Sequence, residues 1–302
     1  MESALILFNQ LIKMAIYSSI GYVLHKTKLI SKDGCRAFST LLLYVILPCV
    51  IISSFIREKS AETTNILLVS TLASVILILI SMGISRILFG KNPIDEFSSS
   101  FSNAGFMGMP LIAAAYGSEK VFYIAAFTAF LNILQWTYGQ KRLSSSIRVN
   151  IKTICLNPLV ISLVLGLVFY FLQIALPNQI STCISTISGC NSPVAMIILG
   201  FYLAEIPFKD VFSFRYGYWV SFVRLMLIPI ASLLILKFIP GLDILVKQIM
   251  LIAACAPVGI NVAIYAQRLD NDYPRAVILI CQSTVLCTIS MPIIIGLSSF
   301  IL

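Results

Sequence analysis

Apolar residues in this chain gather into ten blocks of about 20, the length at which a helix crosses the hydrocarbon core of a bilayer. The blocks run roughly over 4–24, 37–56, 65–89, 97–116, 120–139, 158–176, 181–204, 213–238, 243–267 and 275–302. Charged residues make up only 11% of the 302 positions, against about 25% in a soluble domain. A soluble fold of this size would lack the polar surface it needs. The chain therefore reads as an all-α polytopic membrane protein of ten transmembrane helices, with no room for a separate soluble domain. The first block is not expected to be a cleaved leader. Glu2 stands where a basic region would be, and the block runs into Lys26 and Lys28 without a small-residue cleavage site.

The net charge of +9 is a topology signal before it is anything else. Nucleic acid is not expected as a partner; the bilayer is. In alternate loops, fourteen Lys and Arg from Lys26 to Arg275 fall on one side and five (Arg57, Lys59, Lys120, Lys237, Lys247) on the other. By the positive-inside rule the richer side is cytoplasmic, so both termini are expected outside the cell membrane. The eight cysteines show no paired spacing and lie mostly inside apolar blocks. They read as small hydrophobic fillers, with no metal site, disulfide framework or cofactor.

The blocks also repeat. Gly21 precedes Gly166 by 145 residues, Pro48 precedes Pro193 by 145, and Pro110 precedes Pro257 by 147. Residues 1–140 and 158–302 are thus expected to be two copies of one five-helix unit, joined by a short cytoplasmic linker at 141–157. Five is odd, so the second copy enters the membrane from the opposite side. Inverted repeats of this kind are common in secondary transporters, whose sites lie where discontinuous helices meet. Blocks 4 and 9 are the corresponding members of the two halves. Pro110, with Gly105 and Gly108, predicts an interruption in the first, and Pro257, with Gly259, one in the second. Two broken helices would present free N–H groups and partial positive charge to an anion.

Ionisable residues inside a bilayer are costly and so are functional candidates by default. Every Asp and Glu is expected at a loop or span end, with none near either proline. Two cations remain within spans. Lys13, one turn after Asn9 and Gln10, either attracts an anionic substrate or titrates during the cycle, or else snorkels or faces a water-filled vestibule. Arg224, in block 8, is either a charge partner for substrate or a structural partner of nearby carbonyls. Trp136, Tyr138, Tyr216, Tyr218 and Trp219, near span ends, read as interfacial belts.

The stretches "SNAGFMGMPLIAAAYG", "LNILQWTYG", "LNPLVISLVLGLV", "SPVAMIILGFYLA" and "APVGINVAIYAQRLDND" resemble the auxin efflux carrier family. That family includes plant PIN-FORMED carriers and compact bacterial permeases often described as malonate or malate transporters. The resemblance covers essentially the whole chain. It implies a fold like that of the bile-acid sodium symporters, in which helices 4 and 9 cross at their prolines. Helices 1, 2, 6 and 7 would form a scaffold, and helices 3–5 and 8–10 a transport domain. It further implies a homodimer through the scaffold, and roles in substrate binding for Asn103, Asn132 and Asn261 beside Gly108, Pro110, Pro257 and Gly259. Gly139, Thr284 and Pro292 fit the family pattern of helices 5 and 10. The large cytoplasmic loop of the plant members is missing.

A secondary carrier for a small organic anion is the expected function. An anion sensor without transport and a sodium-coupled symporter of the bile-acid type stand as alternatives. An intramembrane enzyme would need a nucleophile–base pair or a metal site within the spans, and neither a His nor an Asp is available there.

Overall fold

The computed structural model describes residues 2–144, 152 and 155–302; most of the linker expected at 141–157 lies outside the described residues. All regular elements among the described residues are helical. They are α1 (Glu2–Lys26), α2 (Lys32–Phe55), α3 (Ala61–Phe89), α4 (Pro93–Ser100), α5 (Ala104–Tyr116), α6 (Ser118–Leu143), α7 (Pro158–Leu172), α8 (Asn178–Glu205), α9 (Phe208–Ser213), α10 (Arg215–Phe238), α11 (Ile244–Cys255), α12 (Asn261–Arg268) and α13 (Tyr273–Ile301). Six of these, α2, α3, α6, α8, α10 and α13, are each long and apolar enough to cross a membrane. The protein is a multi-pass, membrane-embedded chain.

Local chemistry sets the helix starts. Ser60 and Thr63 form a capping box ahead of α3, Asn92 caps α4, and Asn157 caps α7, each α4 and α7 opening on a proline. Internal prolines are accommodated by wide turns. A π-helical turn precedes Pro48 (Leu42–Ile46), Pro110 (Ala104–Gly108) and Pro229 (Val223–Leu227). Proline removes one helix hydrogen bond and crowds the carbonyl one turn back, and widening the turn relieves both.

This corrects the expectation for block 4. Its helix does not break at Pro110, which lies inside α5 beyond its π turn. The break comes earlier, at residues 101–103, where the backbone becomes extended. In block 9 the break falls at residues 256–260 and contains Pro257 itself.

Two helix pairs pack at glycines. A Cβ on Gly21 would stand 2.0 Å from the Ile197 carbonyl oxygen, and one on Gly200 would stand 1.8 Å from that of Ser18, so α1 and α8 touch backbone to backbone. Gly166 of α7 lies against the ring of Phe55 at the end of α2, 2.7 Å from where a Cβ would be. The remaining long helices pack around the two broken segments, α3 and α6 against α4 and α10 and α13 against α11.

Candidate functional site

The two breaks meet. Between α4 and α5, and between α11 and α12, the chain is extended, and Ser102 and Val258 form an isolated antiparallel bridge. The Asn103 N–H donates to the Pro257 carbonyl at 2.8 Å, and the Gly259 N–H donates to the Phe101 carbonyl at 3.1 Å. Val258 N–H donates to Ser283 Oγ of α13 at 3.1 Å. Backbone groups freed from a helix in an apolar setting each cost several kcal/mol if left unpaired, and these contacts satisfy them. Gly259 is required by proximity, since a Cβ there would sit 3.3 Å from both the Phe101 and Ser102 carbonyl oxygens.

The C-terminal ends of α4 and α11 are held by one side chain. Arg224, 1% exposed, donates through Nη1 to the Ser99 carbonyl at 3.0 Å, to the Ser100 carbonyl at 3.4 Å and to Ser81 Oγ at 3.2 Å. Its Nη2 donates to the Ala254 carbonyl. Ser81 Oγ adds a bond to the Ser100 carbonyl at 2.7 Å. A guanidinium placed on two helix C-termini meets the negative ends of both dipoles. Arg224 is therefore engaged by protein carbonyls.

The opposite side of the crossing strands presents the starts of α5 and α12, and here buried amides collect. Asn261 Nδ2 donates to Gln135 Oε1 at 2.6 Å and to Asn132 Oδ1 at 3.3 Å, while Asn132 Nδ2 donates to the Thr128 carbonyl at 2.7 Å. Asn103 Nδ2, Gln135 Nε2, Asn261 Oδ1, Thr128 Oγ1 and Ser102 Oγ are buried with no hydrogen-bond partner among the described residues. Buried polar groups are ordinarily paired, so this concentration of unpaired atoms is unusual. The cavity among them measures about 10 Å³, room for roughly one water.

Five sequence candidates come together here: Asn103, Asn132, Pro257, Gly259 and Asn261. Gly108 instead packs beside Ala253 of α11, and Pro110 faces a different space. That space is an open vestibule of about 660 Å³ bounded by α1, α2, α5 and α8 and by the first turn of α6, with Arg57 and Glu119 among its lining residues. Lys13 lies on the exposed side of α1 and lines neither cavity. Gly139 lies under the Phe97 ring, and Thr284 bonds within its own helix. The sequence reading missed Gln135, Ser102 and Thr128. The signal for Gln135 was its place three residues after Asn132, on one face of an apolar helix.

The carboxylates sit at span ends as expected, yet three are buried and bridged. Asp95 meets Arg275 at 2.6 Å; Glu96 meets Arg142 at 2.7 Å, Arg86 at 3.0 Å and the Tyr138 hydroxyl. On α8, Glu205 accepts from Tyr273 Oη at 2.5 Å and pairs with Lys32 at 3.1 Å. None of these lines the cavity at the crossing strands. Among the described residues, no three His, Cys, Asp or Glu side chains group as a metal site.

Comparison with known proteins follows the same lines. A family model described as "Membrane transport protein" matches residues 6–146 and 140–295. An "Uncharacterized transporter" of Methanothermobacter thermautotrophicus is 23% identical over 288 residues, covering 91% of this chain and 92% of the relative.

Proposed function

The chain belongs to the membrane transport protein family, the group of the auxin efflux carriers, and from that membership we propose a secondary carrier of a small organic carboxylate. One observation carries the choice of cargo. The starts of α5 and α12 converge on buried amides, and two amide nitrogens there, Asn103 Nδ2 and Gln135 Nε2, have no acceptor among the described residues. Helix starts and free N–H donors together favour an anion, and a carboxylate supplies the missing acceptors.

The size of the cavity is compatible with alternating access. A space for about one water must widen to take a carboxylate, so the helices around it move during the cycle. In this reading α1, α2, α7 and α8 form the static part, and α3–α6 with α10–α13 the moving part. An inverted repeat of 1–140 and 158–302 fits the packing. Gly21 of α1 lies on α8, and Gly166, 145 positions later, lies on α2. Block 1 thus touches block 7 as block 6 touches block 2. The vestibule opens beside Arg57, on the side poorer in Lys and Arg and so read as extracytoplasmic. A homodimer through the static helices belongs to the same proposal. With no carboxylate at the cavity, coupling without sodium is preferred.

Solid-supported-membrane current from the purified protein in proteoliposomes tests the reading. A panel of mono- and dicarboxylates is applied with and without sodium at two pH values. The carrier reading expects a substrate-dependent signal that Asn103→Ala removes. Binding without current or exchange for every acid would favour a sensor.

A further inference from the structure

Asn191 is a buried polar residue outside both the amide cluster and the carbonyl clamp. Asn191 stands where α8 is interrupted. The helical run Asn178–Gly189 ends there, Cys190 has φ −74° and ψ −9°, and a second run begins at Asn191. Pro193 follows two residues later and cannot donate to the Gly189 carbonyl. The interruption turns Asn191 inward, where it is 3% exposed. Its Nδ2 donates to the Gly105 carbonyl in the first turn of α5 at 3.1 Å. Its Oδ1, and Oγ of the adjacent Ser192, are buried without partners.

Its position separates two spaces. Asn191 and Ser192 line the vestibule, while Gly105, the residue Asn191 holds, lines the small cavity at the crossing strands. Asn191 lies on α8 and Gly105 on α5, helices that the carrier reading assigns to the static and the moving parts. A half-satisfied amide is an expensive feature in an apolar interior, and one hydrogen bond of ordinary strength is easily exchanged for another.

Resting on the carrier reading, we infer that Asn191 is a specificity-determining latch that closes the amide cavity and then serves as a ligand for the arriving carboxylate. In the empty protein it holds the start of α5 through Gly105. When an anion descends the vestibule, a carboxylate oxygen takes the Nδ2 donor in place of the Gly105 carbonyl, and α5 is released. Ser192 Oγ supplies a second donor from the same turn. The latch opens readily only to a guest that accepts hydrogen bonds, which selects anions over apolar solutes before the inner cavity is reached.

The test reads access to Ser102, which lines the inner cavity. Ser102→Cys is made in a chain whose Cys49, Cys155, Cys183 and Cys190 are replaced by Ser. Labelling rates are measured in proteoliposomes with an anionic sulfonatoethyl and a neutral methyl methanethiosulfonate. Asn191→Ala is expected to raise both rates about tenfold, the factor one hydrogen bond contributes to an opening equilibrium. Asn191→Asp keeps the size but removes the donor and adds negative charge; it should raise the neutral rate while the anionic rate stays low. Malonate should slow labelling with Asn191 present and lose that effect in Asn191→Ala. Equal rates across the variants, in protein that still carries out carboxylate flux, would overturn the latch. Absence of flux in the unmodified chain would instead count against the carrier reading, so the two failures are distinct. If Asn191→Ala does not yield monodisperse protein, the ratio of anionic to neutral labelling in Asn191→Asp decides alone, and an unchanged ratio overturns the proposal.

Discussion

Arg224 of α10 donates to the carbonyl oxygen of Ala254 at the end of α11, and the same guanidinium holds the end of α4. One cation thus joins the two broken segments on the side away from the amide cluster. Its removal takes the side-chain donor from the buried Ser99 and Ala254 carbonyls, at about 1–3 kcal/mol each. Arg224→Met is expected to lower the melting temperature far more than any amide substitution, and Arg224→Lys to recover only part of the loss. Scanning fluorimetry in detergent, with Trp136 and Trp219 as reporters, checks this. Full thermal stability in Arg224→Met would return the residue to the charge-partner role.

Asn103 and Asn261 should separate binding from stability. Asn103 Nδ2 has no partner among the described residues, so Asn103→Ala removes a ligand donor at little cost to the fold. Affinity is expected to fall roughly tenfold, the value of one ordinary hydrogen bond, with the melting temperature nearly unchanged. Asn261→Ala also strips the acceptors Gln135 Oε1 and Asn132 Oδ1 of their donor, and should lower both. Calorimetric titration of the best carboxylate, with melting curves beside it, distinguishes the two patterns.

Glycine positions should differ in kind. Gly200→Ala places a Cβ 1.8 Å from the Ser18 carbonyl oxygen, an overlap no rotamer relieves, so α1 and α8 must separate. Loss of monodisperse protein is the expected result on size-exclusion chromatography. Gly259→Val acts locally, pushing apart the bridge at Ser102 and Val258. It should leave folded protein with impaired carboxylate flux.

Glu205 is expected to close the side opposite the vestibule. Tyr273→Phe removes the bond from α13 to α8 and should expose Cys35, buried one turn into α2 from Lys32. Maleimide labelling of Cys35 from the Lys- and Arg-rich side should speed up about tenfold, as for one lost hydrogen bond. An unchanged rate would remove the contact from any gating role.

Much of the fold was legible because a bilayer leaves the chain few options. Apolar block length gave the helices to within a few residues, and glycine and proline marked blocks 4 and 9 as the interrupted ones. The position of the first break was misread. Pro110 is the louder signal, yet a π turn absorbs it, while the break at 101–103 is fixed by pairing with a strand more than 150 residues away. No local rule reports such a partner. Asn103, Asn132 and Asn261 came from the family resemblance, and they lie together around one small cavity. Gln135 and Asn191 were not singled out, because each acts through a distant partner, Asn261 and Gly105 respectively. Lys13 attracted notice as an intramembrane charge, but helix rotation places it on the exposed side of α1.

Counterflow is the most direct test of the central claim. Proteoliposomes loaded with unlabelled malonate are diluted into trace labelled malonate, and internal label is followed over time, with the other mono- and dicarboxylates run in parallel. The account predicts a transient overshoot for at least one acid, lost in Asn103→Ala. Binding of an acid with no overshoot for any of them would contradict it and leave an anion sensor in its place.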